Sequence, residues 1–204
     1  MASCSNVATC TAASTSIKTV TLTRAGAPSV MAKLKLQSGR MAPTSASLKP
    51  VDIFRNPSLM KIVLQRVLRS SVSVNDEVIG EIGKGLMILF GAEKEDGDGA
   101  VDALAEKVLN LRIFADDQGK MNQSCLDVQG EILVVSQFTL AGDCSRGRRP
   151  GFDSAAPLEE AERLYRNFVR KLAESKLKIQ EGRFGADMQV DLVNDGPVTF
   201  ILER

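Results

Sequence analysis

The chain has 204 residues, 44% of them hydrophobic, enough for one sizeable core. It contains no histidine, so neither a Ser-His-Asp triad nor a Cys-His pair can be assembled within it. The net charge of +1 conceals an asymmetry: before Met60 seven basic residues stand against one acid, Asp52, and the remaining 19 basic and 24 acidic residues leave the rest of the chain acidic. An acidic body is a poor general binder of nucleic acid, so any RNA contact has to be local.

The first 50 residues are rich in Ser, Thr and Ala, carry scattered bases and hold no acid. That is the composition of an organellar transit peptide, with a disordered tail as the alternative. Residues 1–59 are accordingly read as an extension and 60–204 as the folded domain. The opening Met-Ala-Ser and the lack of an arginine-rich amphipathic helix favour a chloroplast over a mitochondrion, with the cytoplasm as the remaining alternative. No apolar run approaches the roughly 18 residues of a membrane span, so no membrane partner is expected. The four cysteines, Cys4, Cys10, Cys125 and Cys144, form no CxxC pair. Without histidine a zinc site would need all four thiolates, and neither a metal nor another cofactor is expected.

From Met60 onward KIVLQRVLRSSVSV reads as a strand, followed by strands EVIGEIG and GLMILFGAE punctuated by glycines. GEIGKG lacks the spacing and the following helix of a phosphate loop and is a turn. In GAVDALAEKVLNLRIF, Val101, Leu104, Ala105, Val108 and Leu111 form one helical stripe, with Asp98 as the expected N-cap. A turn-rich stretch from Ala115 to Gly130 follows. EILVVSQFTL is too apolar to alternate, which predicts a central strand covered on both faces.

PLEEAERLYRNFVRKLAESK predicts a second helix with Pro157 in its first turn, Glu159 and Glu160 near its positive end, and Lys171 and Lys176 near its negative end. Its apolar stripe is Ala161, Leu164, Tyr165, Phe168 and Leu172. ADMQVDLVNDGPVTFILER reads as two strands joined through Asn194-Asp195-Gly196. This order of strands and helices lacks a regular βαβ rhythm and favours an α+β fold, a sheet or partly closed β-barrel covered by helices.

Taken singly, the remaining motifs are bland. Hydroxyl residues as in SQFTL occur in interior strands bonded to neighbouring backbone, NDGP makes a good hairpin turn, and the arginines of CSRGRRPG suit a solvated loop. Together, QRV near the domain start, SQFTL, RGRRPGF, FGADM and NDGPVT in this order resemble the D-aminoacyl-tRNA deacylase family over essentially all of 60–204. The resemblance implies that family's fold and hydrolysis of the ester of D-aminoacyl-tRNA, with mischarged Gly-tRNA as a second substrate. It implies a homodimer in which the Gly196-Pro197 peptide, in the cis form, enters the partner's pocket.

Carried over by motif, Ser136, Gln137, Phe138, Thr139 and Leu140 supply backbone groups around the ester and an aromatic neighbour for the terminal adenosine, and Phe184, Gly185, Ala186 and Met188 form the adenosine side of the substrate site. Val198 and Thr199 follow the selective peptide, which Arg66 braces, and Arg146 and Arg149 meet tRNA phosphates. The loop departs from the KGxRPSF of many relatives, with Arg146 for lysine and Gly151 for serine. Arginine and lysine both attract phosphate, with different geometry.

The missing histidine fits this chemistry. An aminoacyl ester is more reactive than an amide, and the terminal ribose places a free 2′-hydroxyl beside it, so backbone N–H donors and the substrate's own hydroxyl suffice to position a water. In the rival scheme Thr139 is a nucleophile, and its base would be a carboxylate, a lysine or a water. A non-catalytic dimeric nucleic-acid-binding module is the alternative function.

Overall fold

The computed structural model describes residues 59–204, so the transit-peptide reading of residues 1–59 falls, but for Leu59, outside the described residues. Within them the chain runs β1 (Lys61–Val74), β2 (Glu77–Ile82), β3 (Gly85–Gly91), α1 (Asp98–Asn110), β4 (Phe114–Ala115), β5 (Met121–Gln123), β6 (Glu131–Ser136), α2 (Leu158–Ala173), β7 (Ile179–Glu181) and β8 (Gln189–Glu203). β4 and β5 make a small hairpin inside the turn-rich stretch. Neither they nor β7 are long enough to leave a periodic signal in the sequence.

The main sheet has the order β2-β1-β3-β6-β7, with β8 on the other flank of β1. β1 is antiparallel to β2, β3 and β8, whereas β3, β6 and β7 run parallel. The two ends of the sheet curl together, so that a Cβ added to Gly80 of β2 would stand 3.3 Å from the carbonyl oxygen of Glu181 in β7. The result is a nearly closed barrel with two helices on its outside, as the order of elements predicts.

Successive strand residues face opposite sides, and here both sides are apolar. Ile62 and Leu64 of β1, Leu86, Ile88 and Phe90 of β3, and Ile132 and Val134 of β6 pack outward against Val101, Leu104 and Val108 of α1 and Leu164, Tyr165 and Phe168 of α2. The alternate residues Val67, Val72, Met87, Leu133 and Val135 fill the barrel. Each such side chain contributes about 1.5–3 kcal/mol by burial. The predicted stripes of both helices are therefore the faces that meet the sheet.

Helix ends differ in detail from the expectation. Gly97 caps α1, and Asp98, one residue later, instead accepts from Arg163 at 2.9 Å and Asn167 at 2.6 Å, tying α1 to α2. Pro157 is the cap residue of α2 rather than part of its first turn, and Lys176 lies beyond the helix with φ +65. Tyr165 of α2 donates its hydroxyl to the Val134 carbonyl at 2.9 Å, pinning the helix where β6 and β7 end. Burial pushes its phenol well above the ordinary range, so it stays a donor.

Candidate functional site

The predicted strand EILVVSQFTL stops at Ser136. Gln137 N donates to the Phe90 carbonyl at 2.7 Å, and the chain then coils into a short 3-10 helix, Phe138–Ala141, closed by Leu140 N to Gln137 O at 3.2 Å and Gly142 N to Thr139 O at 3.0 Å. Leu140 folds back over the end of β3. Gly91 makes this possible, because a Cβ there would stand 2.8 Å from Leu140 Cβ and 3.0 Å from the Gln137 carbonyl. SQFTL is thus a strand end and a corner, which brings backbone amides to the rim of the sheet.

The corner opens a pocket of about 290 Å³ beyond the ends of β3 and β6. Ser136, Gln137 and Phe138 line one side, and Phe184, Gly185, Ala186 and Met188, from the loop between β7 and β8, line another. These two motifs, 45 residues and more apart in sequence, meet here. Ala155, Ala156 and Leu158, just before and at the start of α2, complete the wall and were not foreseen; Leu158 is off the helix stripe and largely exposed at the mouth. No residue lining the pocket carries an acid or a base. Thr139 and Leu140 do not line it: Leu140 covers Gly91, and the Thr139 hydroxyl is 2.6 Å from Gln137 Nε2. Phe138 is exposed at the mouth with its ring against Phe152, centroids 5.1 Å apart.

Arg66, Gly196, Pro197, Val198 and Thr199 form a second locus. The expected pair of strands joined through Asn194-Asp195-Gly196 is one strand, β8, which stays antiparallel to β1 on both sides of the irregularity. Gln65 and Val67 face Thr199 and Asn194, so two steps along β1 are matched by five along β8, and the surplus residues bulge outward. The local turn signal is real but yields to the pairing on either side.

Side chains fasten the bulge. Val198 N donates to Asn194 Oδ1 at 2.9 Å, and Thr199 Oγ1 receives Asn194 Nδ2 at 3.1 Å and Gln65 Nε2 at 3.2 Å. The Gly196-Pro197 bond is cis, and Gly196 has φ +124, open to glycine alone. A Cβ there would meet Val198 Cγ2 at 2.7 Å and Arg66 Nη2 at 3.0 Å. Arg66 is buried beneath the bulge, donating Nη1 to the Ile113 carbonyl. Its Nε lies 2.9 Å from Asp195 Oδ2, an ion pair whose angle is too poor for a hydrogen bond, leaving that N–H without an aligned acceptor. Neither Gly196 nor Pro197 lines the pocket of its own chain.

Arg146, Arg148 and Arg149 are exposed on a loop whose stem is the reciprocal pairing of Asp143 and Gly151, at 2.7 and 2.9 Å. Among the described residues none of the three has an ion-pair partner. Asp143 is exposed too, and the Ser145 N–H at 2.8 Å, with a lesser contribution from the Arg146 charge, holds its carboxyl below the usual range.

A family model described as D-Tyr-tRNA(Tyr) deacylase matches residues 63–203. The chain belongs to this family. A relative named D-aminoacyl-tRNA deacylase from Pelobacter propionicus is 58% identical over 145 residues, which cover 71% of this chain and 100% of the relative. One of the same name from Geotalea uraniireducens is 58% identical over 144 residues, 71% of this chain and 93% of that one. Among solved structures, one titled c-Myc DNA Unwinding Element Binding Protein is 46% identical, with a TM-score of 0.67, covering 71% of this chain and 99% of that one. Another, titled as a probable eukaryotic D-amino acid tRNA deacylase, is 18% identical with a TM-score of 0.64 over 72% of this chain and shares the fold.

Proposed function

We propose that this protein hydrolyses the ester of D-aminoacyl-tRNA, releasing free tRNA and the D-amino acid. Membership of the deacylase family across residues 63–203 carries the reading. The pocket supports it chemically, since its lining offers backbone amides and apolar surface but no general base. Water adds to the ester carbonyl, the ribose 3′-oxygen leaves with a proton, and the neighbouring 2′-hydroxyl positions the water. The amide of Phe138, which heads a short helix, has no acceptor within it and belongs to a pocket-lining residue, is the donor offered to the carbonyl oxygen. Gln137 occupies the Thr139 hydroxyl, which favours a positioning role over a nucleophilic one.

Selection for D-aminoacyl esters falls to Gly196-Pro197. Since neither residue lines its own chain's pocket, the reading places them in the pocket of a second copy, within a homodimer. There their carbonyls form a rigid wall where an L side chain would project. D side chains point outward and go unread, and glycine, with nothing to exclude, passes the same filter. Arg146 and Arg149 contact tRNA phosphates. Residues 1–59 direct the protein to a chloroplast, which imaging a fusion of that segment to a fluorescent protein tests.

The decisive assay presents the full chain with D-Tyr-tRNA, L-Tyr-tRNA and a D-Tyr-tRNA ending in 2′-deoxyadenosine. Hydrolysis of the first alone is the expected result; equal cleavage of D and L esters, or full activity on the deoxy substrate, overturns selection or mechanism respectively. The 46% identical structure, by its title, favours one second reading, a nucleic-acid-binding module. Tight DNA binding without any ester hydrolysis would establish that instead.

A further inference from the structure

The loop that carries the arginines is not free of the pocket. Beyond its stem, Phe152 lays its ring on Phe138, with centroids 5.1 Å apart and planes at 53°. The same ring abuts Gly142, where an added Cβ would stand 3.1 Å from Phe152 Cε1. The return strand of the loop is then fastened rung by rung. Ala155 N donates to the Phe152 carbonyl at 3.1 Å, Ser154 Oγ to the Ala141 carbonyl at 2.7 Å, Lys94 N to the Ser154 carbonyl at 2.9 Å and Ala156 N to the Ala92 carbonyl at 3.1 Å. Ala155 and Ala156 are themselves pocket wall. Phe138, 61% exposed, therefore has one ring edge supported by Phe152 and leaves much of its surface uncovered at the pocket mouth.

An exposed phenylalanine beside an apolar pocket is a surface on which a base stacks, and its use depends on the ring being held at one height. Among the described residues the aromatic ring that packs on Phe138 is that of Phe152. Resting on the deacylase reading above, we propose that Phe152 is a positioning residue: it holds the Phe138 ring as the platform for the substrate's terminal base, and it joins the arginine loop to that platform as one unit. Phe152 touches neither the ester nor the pocket interior and acts through Phe138 alone.

The test uses two ligands with full-length protein: a D-aminoacyl ester of adenosine, which has the base but no phosphate, and its non-hydrolysable 3′-amide analogue. The expected result for Phe152→Ala is a KM for the small ester, and a Kd for the amide by calorimetry, about five- to tenfold higher, a modest part of what base stacking contributes. Turnover at saturation changes less than twofold. Phe152→Tyr restores both constants, whereas Phe152→Leu, which keeps bulk without a ring, restores them only in part. Phe138→Ala raises the same constants, and adding Phe152→Ala to it raises them no further. An additive double variant, or unchanged constants in Phe152→Ala, overturns the proposal. So does a variant whose melting transition is lost in Ala, Leu and Tyr forms alike, since that is a structural role. Wild-type protein that binds the amide but cleaves no D-ester overturns the deacylase reading and leaves the platform standing; failure to bind the amide at all overturns the platform.

Discussion

The pocket and the Gly196-Pro197 bulge are built by opposite means. The pocket is a place where backbone is left bare: strands stop, a short helix turns over Gly91, and alanines, glycines and phenylalanines form walls with no titratable group. The bulge is a place where backbone is tied down, by Asn194, Gln65, Thr199 and a buried guanidinium under a glycine that tolerates no side chain. Under the proposed function, one surface accepts and the other refuses. On the proposed reading, acceptance and refusal are built by separate parts of the chain, and an active site needs both.

The largest effect is expected at the bulge. Gly196→Ala places a methyl against Val198 and Arg66 at a φ of +124, displacing the peptide, and should cut D-ester hydrolysis by about a hundredfold or more while the protein stays folded. Single-turnover rates on D-Tyr-tRNA beside a thermal melt decide it; undiminished D-activity would show that the bulge is no part of the active site. Arg66→Met removes the cation from below the bulge, leaving the Ile113 carbonyl without its donor and Asp195 without its counter-charge. A loss of about 2 kcal/mol in urea unfolding is expected, together with weaker discrimination between D and L esters.

On the pocket side the effects are smaller. Ser136→Ala and Thr139→Ala should each slow turnover about five- to thirtyfold, as positioning losses, and by less than removal of the substrate's 2′-hydroxyl. Abolished turnover in Thr139→Ala, with the deoxy substrate still cleaved, would make Thr139 the nucleophile. Arg146→Ala and Arg149→Ala should weaken tRNA binding most at low salt and each flatten the dependence of log affinity on log salt by about one unit, with saturated turnover unchanged.

The smallest effect concerns neither locus and serves as a control. Arg163 holds the Asp98 carboxyl below its ordinary value of 3.8. A depressed folded pKa adds stability above the unfolded value and loses it as the pH falls through the folded one. The melting temperature of Asp98→Asn should therefore sit slightly below wild type at neutral pH, with the gap closing as the pH drops below 3.8 and shrinking in high salt.

Much of the fold was legible because helix and strand periods are written in single segments. The stripes through Val101 and Val108, and through Leu164 and Phe168, are the buried faces. What failed was decided by partners distant in sequence. EILVVSQFTL shows no break, because the corner at Gln137 is set by Leu140 meeting Gly91 across the sheet. Asn194-Asp195-Gly196 has the composition of a hairpin, yet β1 pairs on both sides of it and holds the chain straight. At the site, Phe184 and its neighbours were found by motif, whereas Leu158 and Phe152 were missed. Leu158 looks like an ordinary exposed helix residue until the pocket it borders is in place, and Phe152 looks like part of a solvated loop until the Phe138 ring is beside it.

β1 and β8 are the first and last strands of the described body, and they pair along nearly their whole lengths, down to the reciprocal bonds between Met60 and Arg204 at 2.8 and 3.0 Å. During synthesis β1 emerges with one flank that only β8 can satisfy. That flank of β1 thus stays unpaired until β8 has emerged, and the bulge, lying within β8, is among the last of the described parts to take shape. A ribosome that stalls before β8 is made would leave β1 as an unpaired edge able to recruit strands from other chains. Synthesis of β8 is in this sense a checkpoint on the assembly of β1.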